Sequence, residues 1–221
     1  MFGRTKSRPR APIAARRLLT AGACAGCLAE ATAGDALLAS LVGEAVTDPD
    51  ARDELRVSHG WCPPHLERAI RIATADGGRS AIAILYADVL RTLDGRGVTS
   101  PSAHPVCGVC AYVVDVLPHA MTDLSLALGR GEYAAELATG GPLCLTHTAA
   151  VSSLPKSAGR DLLLARAMTE LQAIATDLQG FADRQDHRST DRTDHGSIDR
   201  LLQFVGGTDI TSPGNRARPT R

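Results

Sequence analysis

Aromatic side chains are scarce in this chain: one Trp, three Tyr and three Phe among 221 residues. A core without rings must be assembled from Ala, Leu, Ile and Val, which favours closely approaching helices. It also leaves few rings to stack on bases, which argues against a single-stranded nucleic-acid binder. Alternating runs of β-branched residues are absent, which excludes a sheet protein and leaves the all-α class. No apolar run reaches the roughly 20 residues of a membrane-spanning helix, so no membrane span is expected. Lysine numbers two against 22 arginines, a bias that reads as a GC-rich genome rather than a mechanism. Net charge is zero, with 24 basic and 24 acidic residues, and no cysteine is left unaccounted for once the motifs below are drawn.

The neutral balance hides an asymmetry. Arg4, Lys6, Arg8, Arg10, Arg16 and Arg17 lie in residues 1–20 with no acid, a local +6, so the remaining 201 residues carry −6. Such an arm can touch nucleic acid, anionic lipid or the acidic body, but its composition is that of a solvated, disordered leader. Arg16-Arg17 followed by Leu18-Leu19-Thr20-Ala21-Gly22-Ala23-Cys24 superficially resembles an export signal. Its apolar stretch is interrupted by glycine and ends at Glu30, and Cys24 belongs to a motif of another kind. A cytoplasmic protein with reduced thiols is expected.

What is present is a repeated pattern. Cys24-Ala-Gly-Cys27 precedes Cys62-Pro-Pro-His65 by 34 intervening residues, and Cys107-Gly-Val-Cys110 precedes Cys144-Leu-Thr-His147 by 33. The shift between copies is 83 at the first cysteine and 82 at Cys62 and at His65. A period held to one residue, using all six cysteines, reads as a tandem duplication of a three-helix module. Two ligands three residues apart at a helix start converge on one ion, and the helix N-terminus favours the thiolate. Joining Cys24 and Cys27 with Cys62 and His65, and Cys107 and Cys110 with Cys144 and His147, gives each module three sulfurs and one nitrogen. That is the ligand complement of a closed tetrahedral zinc site, two ions in all. An iron–sulfur cluster is the competing cofactor, since ligand type alone admits it. Three disulfides would leave His65 and His147 unexplained. Neither Cys-x-x-Cys is followed by the His of a c-type haem site, and there is no βαβ context for a redox dithiol. With every coordination position filled by protein, no place remains for an activated water, which disfavours metal catalysis.

Along the chain, a disordered arm (1–20) precedes a first metal-site module (21–97) and a second (98–182). A polar segment with a short docking helix (183–205) and a disordered tail (206–221) follow. Helices are expected from the first cysteine pair to about Val46, over 50–57 behind the Asp48 cap and Pro49, and from Pro63 to about Thr74. Others are expected over about 79–93, from Cys107 with an interruption near Pro118, over 132–137, around His147, over about 158–181 and over 198–205. His59, beside Trp61, is a candidate neighbour of the ion. Tyr86 and Asp88 are candidate acid–base groups of an inter-module cleft, together with His187. His104 and His119 have no counterparts at the repeat spacing, while His187, Arg188 and His195 in the acidic–basic stretch are expected either to dock against the body or to be solvated.

These motifs resemble an uncharacterised bacterial family, a domain of unknown function. Its members carry Cys-x-x-Cys, Asp-Pro-x-x-Arg and Gly-x-Cys-x-x-His, with the cysteine–histidine pattern repeated. The matching residues here are Cys24 and Cys27, Asp48-Pro49-Asp50-Ala51-Arg52, and Gly60-Trp61-Cys62-Pro63-Pro64-His65. Ala83-Ile84-Leu85-Tyr86-Ala87-Asp88 resembles the family's third helix, and Phe181 to Arg188 its late aromatic-and-charged stretch; the likeness spans about residues 24–205. The second copy departs from it by lacking Asp-Pro-x-x-Arg and by placing Gly141 one residue earlier before Cys144. The resemblance implies a metal-binding helical fold and no particular activity. The reading is a non-enzymatic protein with two structural zinc sites, an interaction or regulatory scaffold for a protein partner. The alternative is a redox- or metal-responsive sensor.

Overall fold

The computed structural model describes residues 13, 15–19, 23–44, 46–75, 78–93, 106–184 and 196–207. Residues 1–12 of the arm, residues 94–105 at the junction of the expected modules, residues 185–195 and the tail from 208 lie outside them, as do His104, His187, Arg188 and His195. Every regular element among the described residues is a helix: α1 (Ala15–Leu19), α2 (Ala25–Glu44), α3 (Pro49–Val57), α4 (Pro63–Ala75), α5 (Arg79–Thr92), α6 (Gly108–Gly129), α7 (Ala134–Thr139), α8 (Leu145–Ser152), α9 (Ala158–Arg184) and α10 (Ser197–Gly206).

The chain divides into two compact units that do not follow the repeat. One contains residues 30–116; the other joins residues 1–29 to 117–221. The expected modules, 21–97 and 98–182, therefore do not coincide with the units, and both boundaries fall inside a helix, α2 and α6. Each unit has its own core. That of the 30–116 unit gathers Leu37, Leu38, Val42, Leu55, Trp61, Leu85, Val89, Val109 and Val113. That of the discontinuous unit gathers Leu18, Leu19, Ala25, Ala29, Met121, Leu124, Leu128, Leu143, Val151, Leu163 and Ala167. Alanine is frequent at the fully buried positions, as the shortage of rings required. Only Trp61 and Phe204 are buried aromatics among the described residues.

Two expectations need correction. Residues 15–19, assigned to a disordered arm, form α1, because Leu18 and Leu19 are apolar enough to be buried in the core. Pro118 does not interrupt its helix: α6 runs through it. Proline removes the bond its N–H would give to Val114, and Val114 is exposed, where water can serve its carbonyl. Helices α2 and α6 are each long and apolar enough, by length and composition, to cross a membrane. Core helices of a globular protein meet the same criterion, and 56% of the α2 window is buried.

Local sequence explains the helix starts. The Asp48 side chain accepts from the N–H groups of Asp50 (3.0 Å) and Ala51 (3.4 Å), with Pro49 in the first turn of α3 where its missing N–H costs nothing. Pro63 and Pro64 open α4 on the same principle.

Candidate metal centres

All four motifs obey one local rule. The first cysteine of each stands just outside a helix and its carbonyl accepts the first helical bond. The donors are Leu28 for Cys24 (3.0 Å), Leu66 for Cys62 (2.9 Å), Ala111 for Cys107 (3.0 Å) and Thr148 for Cys144 (2.8 Å). The second ligand follows three residues later, within the first turn. Both ligand atoms thus sit over the unsatisfied N–H groups of a helix start, where the backbone dipoles favour negative charge.

The motifs then combine crosswise. Cys24 and Cys27 meet Cys144 and His147; Cys62 and His65 meet Cys107 and Cys110. In each group the four ligand atoms lie within 4.8 Å of one another, so each could hold a metal ion. The eight residues are those picked out by the spacing, but the partners differ from the expected ones. Each centre takes its Cys-x-x-Cys from one copy and its Cys-x-x-His from the other. The repeat spacing could not reveal this, because the period is the same whichever half-sites join. Each centre is complete within a single unit.

In the discontinuous unit, His147 Nδ1 lies 3.5 Å from Cys24 Sγ, 3.5 Å from Cys27 Sγ and 3.0 Å from Cys144 Sγ. Cys27 Sγ is 3.9 Å from Cys144 Sγ. The Cys144 N–H donates to Cys24 Sγ at 3.3 Å. Cys24, Cys144 and His147 are buried and Cys27 is half-buried. The packing needs a glycine: a Cβ on Gly26, between the two cysteines, would run into the His147 ring. Hydrogen bonds from Cys24 and then Cys27 hold the Cys144 thiol well below its ordinary pKa, against the opposing effect of burial.

In the 30–116 unit, His65 Nδ1 lies 3.1 Å from Cys62 Sγ, 3.7 Å from Cys107 Sγ and 3.4 Å from Cys110 Sγ, with Cys62 Sγ 3.7 Å from Cys110 Sγ. Cys107 is buried; Cys62, His65 and Cys110 are half-buried. Burial alone would raise the Cys107 thiol, but hydrogen bonds from His65 and from backbone N–H groups outweigh it and lower it to about 6. Burial, and then the neighbouring sulfurs of Cys62 and Cys107, push Cys110 up to about 12. The Sγ–Sγ separations of 3.9 and 3.7 Å far exceed the ~2.05 Å of a disulfide.

The residues around Cys62 account for Tyr86, Asp88 and His59. Helix α3 ends with His59 in the left-handed region (φ 55°) and Gly60 after it (φ 91°). Gly60 N–H reaches back to Leu55 (2.9 Å) and His59 N–H to Arg56 (3.1 Å), the bond pair of a Schellman ending. The Tyr86 hydroxyl accepts from the Trp61 N–H at 2.9 Å, and the two rings meet edge to face at 5.9 Å. A Cβ on Gly60 would sit 3.0 Å from that hydroxyl. Burial raises the Tyr86 pKa, so the phenol stays protonated. Asp88 accepts from Arg52 Nε at 2.7 Å and pairs with Arg56 and Arg91, tying α5 to α3. The Arg52 hydrogen bond holds its carboxyl below the usual range. These side chains brace the loop that delivers Cys62. His119 is exposed on α6.

No protein-family model, no curated protein and no solved structure matches this chain.

Proposed function

We propose that the protein is a non-enzymatic scaffold whose two centres each hold a structural zinc ion, presenting a fixed helical surface to a protein partner in a reducing compartment. The observation that carries this reading is the convergence of three sulfurs and one nitrogen within 4.8 Å in both centres. A zinc ion bound at about 2.3 Å to sulfur and 2.0–2.1 Å to nitrogen spaces its tetrahedral ligands about 3.8 Å apart between sulfurs and about 3.6 Å between sulfur and nitrogen. Distances of 3.7 and 3.9 Å between sulfurs, and of 3.0–3.7 Å from sulfur to nitrogen, fit one ion in each centre. A cluster divides its ligands among several irons, which suits so compact a set less well. With four protein ligands the ion has no open position for substrate or water. Tyr86 and Asp88, the described candidates for acid–base chemistry, are engaged in bracing the Cys62 loop.

Elemental analysis of anaerobically purified protein tests the reading, together with its absorption spectrum. The expected result is two zinc ions per chain and no visible absorption. Iron with sulfide, or a folded protein with no bound metal, would overturn it.

A further inference from the structure

The two centres differ in what lies against them. In the discontinuous unit, α10 packs on α8 and α9. Phe204 is buried, and Arg200 pairs with Glu170 (2.8 Å) and with Asp177 on α9. Gly207 caps the helix, and a Cβ there would stand 3.0 Å from Cys27 Sγ and 3.6 Å from Cys144 Sγ. A cavity of about 60 Å³ remains beside the ligands, lined among others by Cys24, Cys144, Arg200, Gln203 and Phe204. It admits water, and α10 supplies Arg200, Gln203 and Phe204 to its wall. At the 30–116 centre three of the four ligands are themselves half-exposed.

Building on the zinc reading above, we propose that α10 is a cap that makes the Cys24–Cys27–Cys144–His147 ion slow to exchange, while the Cys62–His65–Cys107–Cys110 ion passes readily to thiol-bearing acceptors. The transfer is a ligand exchange without redox change. An acceptor thiol loses its proton and bonds to the ion, the ion–Cys110 bond breaks, and Cys110 takes up a proton. Repetition at the remaining ligands frees the ion. The half-buried Cys62 and Cys110 are open to a first attack, whereas the capped centre must first pay the opening cost of a docked helix.

The test uses full-length protein loaded with two zinc ions and mixed with excess glutathione and a chromogenic zinc chelator. A parallel pulse of N-ethylmaleimide is read by peptide mass spectrometry. Release is expected in two resolved phases of one ion each, the slower gated by local opening of α10. Cys62 and Cys110 should be alkylated in the fast phase. Phe204→Ala and Arg200→Ala should both accelerate the slow phase and leave the fast phase unchanged. Arg200→Ala serves as the milder uncapping, because its partly exposed ion pairs add little to stability. A single phase releasing both ions, first alkylation at Cys24 or Cys27, or a slow phase indifferent to both substitutions would each overturn the proposal. Fewer than two ions at the start would refute the zinc reading itself, which the loading measurement reports separately.

Discussion

The two centres share ligand types, spacing and position at helix starts, yet they are held by different means. The one in the 30–116 unit depends on a braced loop: Asp48 caps α3, a Schellman ending turns the chain at His59 and Gly60, and Tyr86 fixes the Trp61 N–H just before Cys62. The one in the discontinuous unit depends on close approach. Its histidine lies against a bare glycine, and Gly141 runs so near the backbone of Ala23 that a Cβ there would be 2.8 Å from it. Identical ligand arithmetic therefore leaves the supporting structure open, because four donor atoms fix only the ion's immediate geometry. The Asp-Pro-x-x-Arg segment missing from the second copy belongs to the bracing that the other centre does without.

The most decisive way to break this comparison is to ask which half-sites share an ion. Cys24→Ser combined with Cys144→Ser should leave one ion bound, whereas Cys24→Ser combined with Cys62→Ser should leave none; within-copy pairing would reverse the two metal counts. Gly26→Ala comes next. It should eject the ion of the discontinuous unit and lower stability by about 1–3 kcal/mol, the usual cost of overpacking, with the other ion retained in mass spectra of the intact protein. Tyr86→Phe should act only on the 30–116 unit. Leaving the Trp61 N–H without its acceptor costs about 1–3 kcal/mol, and hydrogen exchange should quicken around Cys62 but not around Cys144. Asp88→Asn should have the smallest effect. Because the Asp88 carboxyl is held below its ordinary value, its contribution is present above the unfolded-state pKa of about 3.9 and fades as pH falls through the lower folded value. Urea midpoints of the wild type and the variant should accordingly differ at pH 7 and converge below about pH 4.

Much of this was legible in the sequence. The all-α class followed from apolar periodicity and the lack of strand patterns, and the starts of α3 and α4 from Asp48-Pro49 and Pro63-Pro64, where capping chemistry is local. The eight donor residues stood out through their spacing. Their partnership did not, because a repeat period is the same whichever half-sites meet. The helix at Leu18 and Leu19 was masked by the charge around it; two buried leucines outweigh neighbouring arginines that can remain solvated. Tyr86 and Asp88 drew notice as polar residues on an apolar helix, but only their contacts distinguish bracing from chemistry.

The crossed connection also bears on the order of assembly. Between Cys62-x-x-His65 and Cys107-x-x-Cys110 lie the 41 residues from 66 to 106, whereas the 116 residues from 28 to 143 separate the halves of the other centre. For a flexible chain, closing the longer loop costs about 0.9 kcal/mol more. During synthesis the inner ligand set is complete once Cys110 has emerged, while the outer set must wait for His147. An ion bound at the inner centre ties residues 62 and 110 together and so shortens the effective span the outer centre has to close. On the two-ion proposal, the chain would load from the inside outward, each ion easing the capture of the next.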